Sequence, residues 1–131
     1  MTYTVMMLVH RNPSLTPTQF KDHYENIHIP LMQTLTGAHF PLSHTRRYIQ
    51  RSSSGSEYPA TVLQGAQSDF DYDCMSELKF ETEAGFQNMS ALLGSPELAS
   101  TVSEDCGAFM DPARTKVVVL GAINATAKEA S

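Results

Sequence analysis

Two phenols and two imidazoles stand at spacings that let them meet. In Phe20-x-x-His23-Tyr24-x-x-x-His28-x-Pro30, Tyr24 and His28 are four residues apart and project side by side from a helix. His44 and Tyr48 lie on one face of a strand, because even separations share a face. An apolar gap between helix and sheet that holds these four groups suits general acid/base work on a neutral aromatic or polyketide substrate. All five histidines (His10, His23, His28, His39, His44) fall within the first 44 residues, so the front third carries the proton-transfer chemistry available near neutral pH. A competing reading stands beside this one. A lone buried His or Tyr on a helix face is more often a satisfied core residue than a catalyst; it is the convergence of four that weighs the other way. His23 reads first as a core-edge packing residue and second as a substrate contact. His10 and His39 sit near loop ends and read as solvated.

Other chemistries find little support. His23 and His28 are five apart, not four as in H-E-x-x-H, and no carboxylate sits between them in register, so no metal is expected. Cys74 and Cys106 are isolated, lack a His or Asp neighbour, and read as two buried thiols rather than a disulfide or a nucleophile. No glycine-rich phosphate loop, dinucleotide fingerprint or haem motif is present, so no cofactor is expected. The acidic stretch Asp69, Asp71, Asp73, Glu77, Glu81, Glu83 reads as a solvated face, with Glu77 standing out because it falls in the middle of a strand.

The elements that must position these groups are legible in outline. Tyr3–His10 reads as a strand that is apolar on both parities, which places it centrally in a sheet covered on both faces. Thr16-Pro17 opens a helix, with Gln19 completing a capping box. On that helix Phe20, His23, Tyr24, Ile27, His28 and Leu31 share the inner face, while Asp22, Glu25 and Asn26 face away. Pro30 should kink or restart the helix, which fades at Thr36-Gly37. Strands follow at Ser43–Arg51 and Cys74–Glu81, separated by a Ser-rich loop and by residues 59–72, where a short strand and a lid segment are both open. Thr82 caps a second helix with Phe86, Met89, Leu92 and Leu93 as its apolar stripe. A shorter helix runs from Ser95-Pro96 to about Cys106, and Thr115–Ala122 is the last strand.

The order β-α-β-β-α-β is the ferredoxin-like α+β arrangement, one domain over residues 1–123 with a frayed tail at 124–131. Helices on one face leave the other face of the sheet bare, yet the first and last strands are apolar on both sides. A second copy packed sheet to sheet, a homodimer, is the economical cover.

Length and composition agree. The 131 residues are 41% hydrophobic and 18% charged, which excludes a disordered or fibrous chain. The net charge of −5 hides an N-terminal third that is basic by only three charges, too few for a phosphate-binding stripe, so a nucleic-acid role is not expected. The apolar run Val5–Val9 is too short for a signal core or a membrane span, and the chain reads as cytoplasmic, without a membrane partner.

Several short motifs, in order, resemble the EthD domain: Phe20-x-x-His-Tyr24-x-x-x-His28-x-Pro30, Arg46-Arg-Tyr-Ile-Gln50, Glu77-Leu-Lys-Phe80, Ser95-Pro-Glu, Glu104-Asp105 and Phe109-Met-Asp111. A fungal subgroup from aromatic polyketide clusters is similar through Phe40-Pro-Leu-Ser-His-Thr-Arg-Arg-Tyr48, Tyr58-Pro-Ala-Thr-Val62 and Ser68-Asp-Phe-Asp-Tyr-Asp73. The resemblance spans about residues 3–121 and implies the dimeric α+β barrel fold. It also implies a cofactor-independent lyase that decarboxylates or dehydrates an atrochrysone carboxylic acid-type intermediate of anthraquinone and xanthone routes. The wider family prefers Trp where Tyr24 stands, which here adds a hydroxyl. On this view His28, His44, Tyr48 and Tyr24 are the catalytic candidates, and His23, Glu77 and Phe80 contact substrate. His28 imidazolium or the Tyr48 phenol would hold the ketone oxygen as the enolate forms, and His44 or Tyr24 would return the proton to carbon. A cofactor-free anthrone monooxygenase and a non-catalytic polyketide-binding protein are the alternatives.

Overall fold

The computed structural model describes residues 2–130. Strand β1 (Tyr3–Val9) leads through the turn at Asn12–Ser14 into helix α1 (Pro17–His23). The capping box forms: the Gln19 amide donates to Thr16 Oγ1 at 3.1 Å, and the Thr16 amide donates to Gln19 Oε1 at 2.9 Å. One wide π turn (Tyr24–His28) then joins α1 to α2 (Ile29–Thr36). In it the Ile29 amide reaches the Tyr24 carbonyl, five residues back. Pro30, lacking an N–H, cannot add the ordinary α-helical bond to Asn26. The expected kink is thus a wide turn, and it changes which residues face inward. His28 and Ile29 are buried, whereas Ile27, expected inside, is 53% exposed. Gly37, at φ +51 and ψ −119, stops α2 in a backbone region reserved for glycine.

Strands β2 (Ser43–Tyr48) and β3 (Cys74–Phe80), helices α3 (Glu83–Leu93) and α4 (Ala99–Phe109), and strand β4 (Lys116–Leu120) complete the domain. β2 ends three residues earlier than the sequence predicts, and α4 is displaced by a few residues, running on to Phe109. The four strands form an antiparallel sheet in the order β2-β3-β1-β4, the ferredoxin-like arrangement of the dimeric α+β barrel fold. The ambiguous segment 59–72 holds only a bridge from Ala60 to Arg51 and a short 3-10 turn at Gln67–Phe70. Arg51 straps it down: its guanidinium donates to the Tyr58, Phe70 and Tyr72 carbonyls and to Asp73. Asp73 is therefore 5% exposed rather than part of a solvated face. His10 is likewise buried, at 1% exposure, with Nε2 at 3.2 Å from Asp71, where the sequence suggested a solvated residue.

Alternation in β3 sends Cys74, Ser76, Leu78 and Phe80 to the helix side and Met75, Glu77 and Lys79 to the other. The helix side carries two core clusters. One gathers Phe20, Tyr24, Ile29 and Phe109 over Val9 and Cys74. The other packs Phe80 and Met89 over Val5 and Leu78. The opposite face is open, with Met75 38% and Val118 51% exposed. Both thiols are free, Cys74 fully buried and Cys106 partly so. No helix among the described residues is long and apolar enough to cross a membrane.

Candidate active site

The first core cluster is built on polar aromatics. Tyr24 presents its ring to Phe20, His28, His44, Tyr48 and Phe109 at centroid distances of 5.1 to 6.2 Å. Its hydroxyl lies 2.7 Å from Ser76 Oγ and 3.3 Å from His44 Nε2. Ser76 is fully buried on β3, and its hydroxyl has Tyr24 and Cys74 Sγ as neighbours. Burial raises the Tyr24 phenol well above its ordinary value, so it keeps its proton. Burial, reinforced by the charge of Arg46, pushes the His44 imidazole down to about 4. A neutral His44 that accepts at Nε2 from Tyr24 carries its own proton on Nδ1, with Ser76 then donating to the Tyr24 oxygen.

The second imidazole is held from the other side. His28 Nδ1 lies 2.6 Å from Asp105 Oδ2, and His23 Nε2 lies 2.8 Å from Asp105 Oδ1. The Asp105 side chain is 8% exposed. Phe109, one turn further along α4, stacks on the His23 ring at 4.9 Å and tilts against His28 at 4.8 Å. Burial lowers the His28 pKa below the usual imidazole value, although Asp105 opposes the shift. An imidazolium at His28 is therefore disfavoured at neutral pH, and the acid role expected for it does not fit the unliganded site.

Tyr48 is placed beside Tyr24 but its hydroxyl is already engaged. It donates to Glu25 Oε2, and Glu25 also forms a two-point ion pair with Arg46 at 2.5 and 2.9 Å. Burial and the adjacent carboxylate raise the Tyr48 phenol strongly. Arg46 holds the Glu25 carboxyl below the usual range. Glu25, predicted to face solvent, is thus the anchor of the Tyr48–Arg46 side.

The structure brings Tyr24, His28, His44, Tyr48 and His23 together. It does not bring Glu77 or Phe80 to them. Glu77 projects from the opposite face of the sheet, paired in register with Thr45 and Met6. Phe80 belongs to the second core, 2% exposed and edge-on to Phe86 at 5.5 Å. Three residues missed as contributors are Asp105, Ser76 and Glu25. Asp105 was visible within the Glu104-Asp105 motif but had no role. Among the described residues, no cluster of three or more His, Cys, Asp or Glu is placed to hold a metal ion.

The pattern of the EthD domain matches residues 12–113. No curated protein matches the chain. Among solved structures, an EthD family protein of Bacillus halodurans is 15% identical, with a TM-score of 0.55 over 94% of this chain and 100% of that one. A hypothetical Arabidopsis thaliana protein is 12% identical, with a TM-score of 0.53 over 95% of this chain and 91% of its own. A mutant of SnoaB, a cofactor-independent oxygenase from Streptomyces nogalater, is 12% identical with a TM-score of 0.45, covering 97% and 96% of the two chains. The first two likenesses establish the fold.

Proposed function

The chain belongs to the EthD domain family, and on that premise we propose that it is a cofactor-independent lyase acting on an aromatic polyketide β-keto acid. The observation that carries the reading is the buried Tyr24 hydroxyl held between Ser76 and His44, beside a second imidazole at His28. A chain of hydroxyls ending on a neutral imidazole is a device for placing one proton. Here it leaves His44 Nδ1–H as a donor, while His28 Nε2 is available as an acceptor.

Decarboxylation breaks the bond between the α-carbon and the carboxylate, and the electron pair moves onto the ketone oxygen as an enolate. The His44 Nδ1–H donates to that oxygen as charge develops, which stabilises the transition state more than the ground state. A neutral imidazole does this without first having to gain a proton. The α-carbon then takes a proton from water. Dehydration uses the same pair: His28 Nε2 takes the α-proton, the β-hydroxyl leaves, and the proton is returned to it as water. Aromatisation drives either step forward. His44 sits on edge strand β2, partly exposed, and Leu42 on the same side of the chain is 57% exposed, so a flat apolar substrate has an approach from that edge. We read the working unit as a two-fold homodimer in which a second copy covers the open sheet face.

The test incubates the purified protein with an anthraquinone-type β-keto acid and follows carbon dioxide release with and without oxygen. Catalysed release independent of oxygen is expected, with loss of activity in His44→Ala. Oxygen uptake matched to product would replace the reading with an oxygenase. Tight binding without turnover would replace it with a carrier.

A further inference from the structure

We infer that Asp105 is a positioning residue, whose carboxylate fixes the ring orientation and tautomer of His28 so that Nε2 faces the substrate as a proton acceptor. This deepens the acid/base reading above and rests on it. A carboxylate can only accept, so both nitrogens that face Asp105 must carry hydrogen: Nε2 of His23 at 2.8 Å and Nδ1 of His28 at 2.6 Å. In neutral His28 the lone pair then lies on Nε2, which has no partner among the described residues.

Two further contacts fix the geometry. Each carboxylate oxygen is claimed by a different ring, so the Asp105 side chain cannot rotate without breaking one bond. Phe109 packs against both imidazoles, so neither ring can turn freely. The other half of the site is arranged the opposite way round. With Ser76 donating to the Tyr24 oxygen and Tyr24 donating to His44 Nε2, the His44 proton sits on Nδ1. One imidazole is set as acceptor and the other as donor, which is the division of labour that dehydration needs.

The groups facing His28 can be named from each packed element. Asp105 comes from α4, His23 from α1, Tyr24 from the π turn, and Arg46 and His44 from β2. Of these only Asp105 is negative, and it supports proton binding at His28, while His23 and Arg46 oppose it. A purely architectural tie between α4 and the π turn would use the same atoms. It would not, however, tie the His28 titration to the acidic limb of the pH–rate profile.

The test uses the full chain with Asp105→Asn and Asp105→Glu. In Asp105→Asn, the His28 imidazole followed by NMR titration should protonate at lower pH. Loss of water from an aromatic polyketide β-hydroxy ketone should fall about 100-fold in kcat, with KM little changed and the acidic limb of the pH profile moved down. Asp105→Glu keeps the charge and should keep the limb in place while lowering kcat, because the longer side chain displaces the ring. An unmoved His28 titration in Asp105→Asn, or wild-type kcat in Asp105→Glu, overturns the inference; should Asp105→Asn fail to fold, the Glu variant alone decides. His28→Ala in the same assay separates the two levels. Full turnover there removes the acid/base reading itself. Loss of turnover there, with Asp105→Asn unchanged in kcat and limb, removes only the role of Asp105.

Discussion

Tyr24→Phe deletes one oxygen from a 1%-exposed side chain and leaves two groups short of a partner. Ser76 Oγ loses its 2.7 Å neighbour, and His44 Nε2 loses the donor that sets its tautomer. The expected result is a loss of about 100-fold in kcat/KM, with a fall in stability of about 1–2 kcal/mol from the orphaned hydroxyl. Steady-state kinetics and urea denaturation of the same preparation check both, and an unchanged kcat/KM would remove Tyr24 from the proton path. A pH effect belongs to the same pair. His44 is held neutral, with its folded-state value near 4 against about 6.5 in an unfolded chain. The folded state then binds fewer protons, so stability from this group is full above pH 6.5 and is lost as pH falls towards 4. Urea midpoints should drop between pH 7 and pH 5, and His44→Gln should flatten that drop. Spacing alone was enough to group Tyr24, His28, His44 and Tyr48, because helix and strand periods are local properties. Asp105 was not legible as a partner. It stands 77 positions from His28, and only the packing of α4 decides which histidines it meets. Glu25 was misplaced because adjacency to Tyr24 on an ideal helix puts it outside, yet Arg46 reaches across to fold it back.

At the scale of elements, the wide turn at Tyr24–His28 is what aligns the two halves of the site. An ordinary α-helix would bring Ile27 and His28 to the face of Tyr24; the longer turn brings His28 and Ile29 there and turns Ile27 out. Pro30→Ala restores an N–H that can bond the Asn26 carbonyl and lets the turn close. His28 would then shift round the helix relative to Asp105. We expect kcat to fall at least 10-fold while the melting temperature holds or rises, since alanine is the better helix former. Equal losses in rate and stability would point to general damage instead. The sequence showed that Pro30 disturbs the helix but not how, because a kink, a restart and a widened turn share one local pattern. By contrast, the capping box at Thr16 and Gln19 and the alternation in β3 were legible in full. Both depend on residues within three positions of each other, so no distant partner can overrule them cheaply.

For the whole molecule, the decisive fact is that the sheet has one finished face and one bare one. Met6 and Leu8 line the bare side of the central strand, and Met75, Val118 and Leu120 extend that surface. A concavity of about 510 Å³ opens there, bounded by Met6, Thr45, Arg46, Arg47, Met75, Glu77 and Leu120. Its apolar floor, with Arg47 and Glu77 beside it on the same face, suits a two-fold partner. Under such symmetry Arg47 of one copy can meet Glu77 of the other, and each apolar side chain is buried twice. β4 also leaves Val117 and Val119, 56% and 54% exposed, on the helix side, where a partner on the bare face would not cover them. β2 is the strand that carries His44 and Tyr48 on one face and Thr45 and Arg47 on the other, so a partner pressed on the bare face would also stiffen the site. Sedimentation of the wild-type chain at micromolar concentration should therefore show a dimer. Met75→Glu acts once in each copy and should weaken it by about 3–6 kcal/mol, or roughly 10²- to 10⁴-fold in dissociation constant. The dissociated variant should keep its folded circular dichroism spectrum yet turn over more slowly, because the strand bearing His44 has lost its support. A wild-type chain that sediments as a stable monomer would refute the sheet-to-sheet dimer, and full activity in a monomeric Met75→Glu would sever the link between assembly and catalysis.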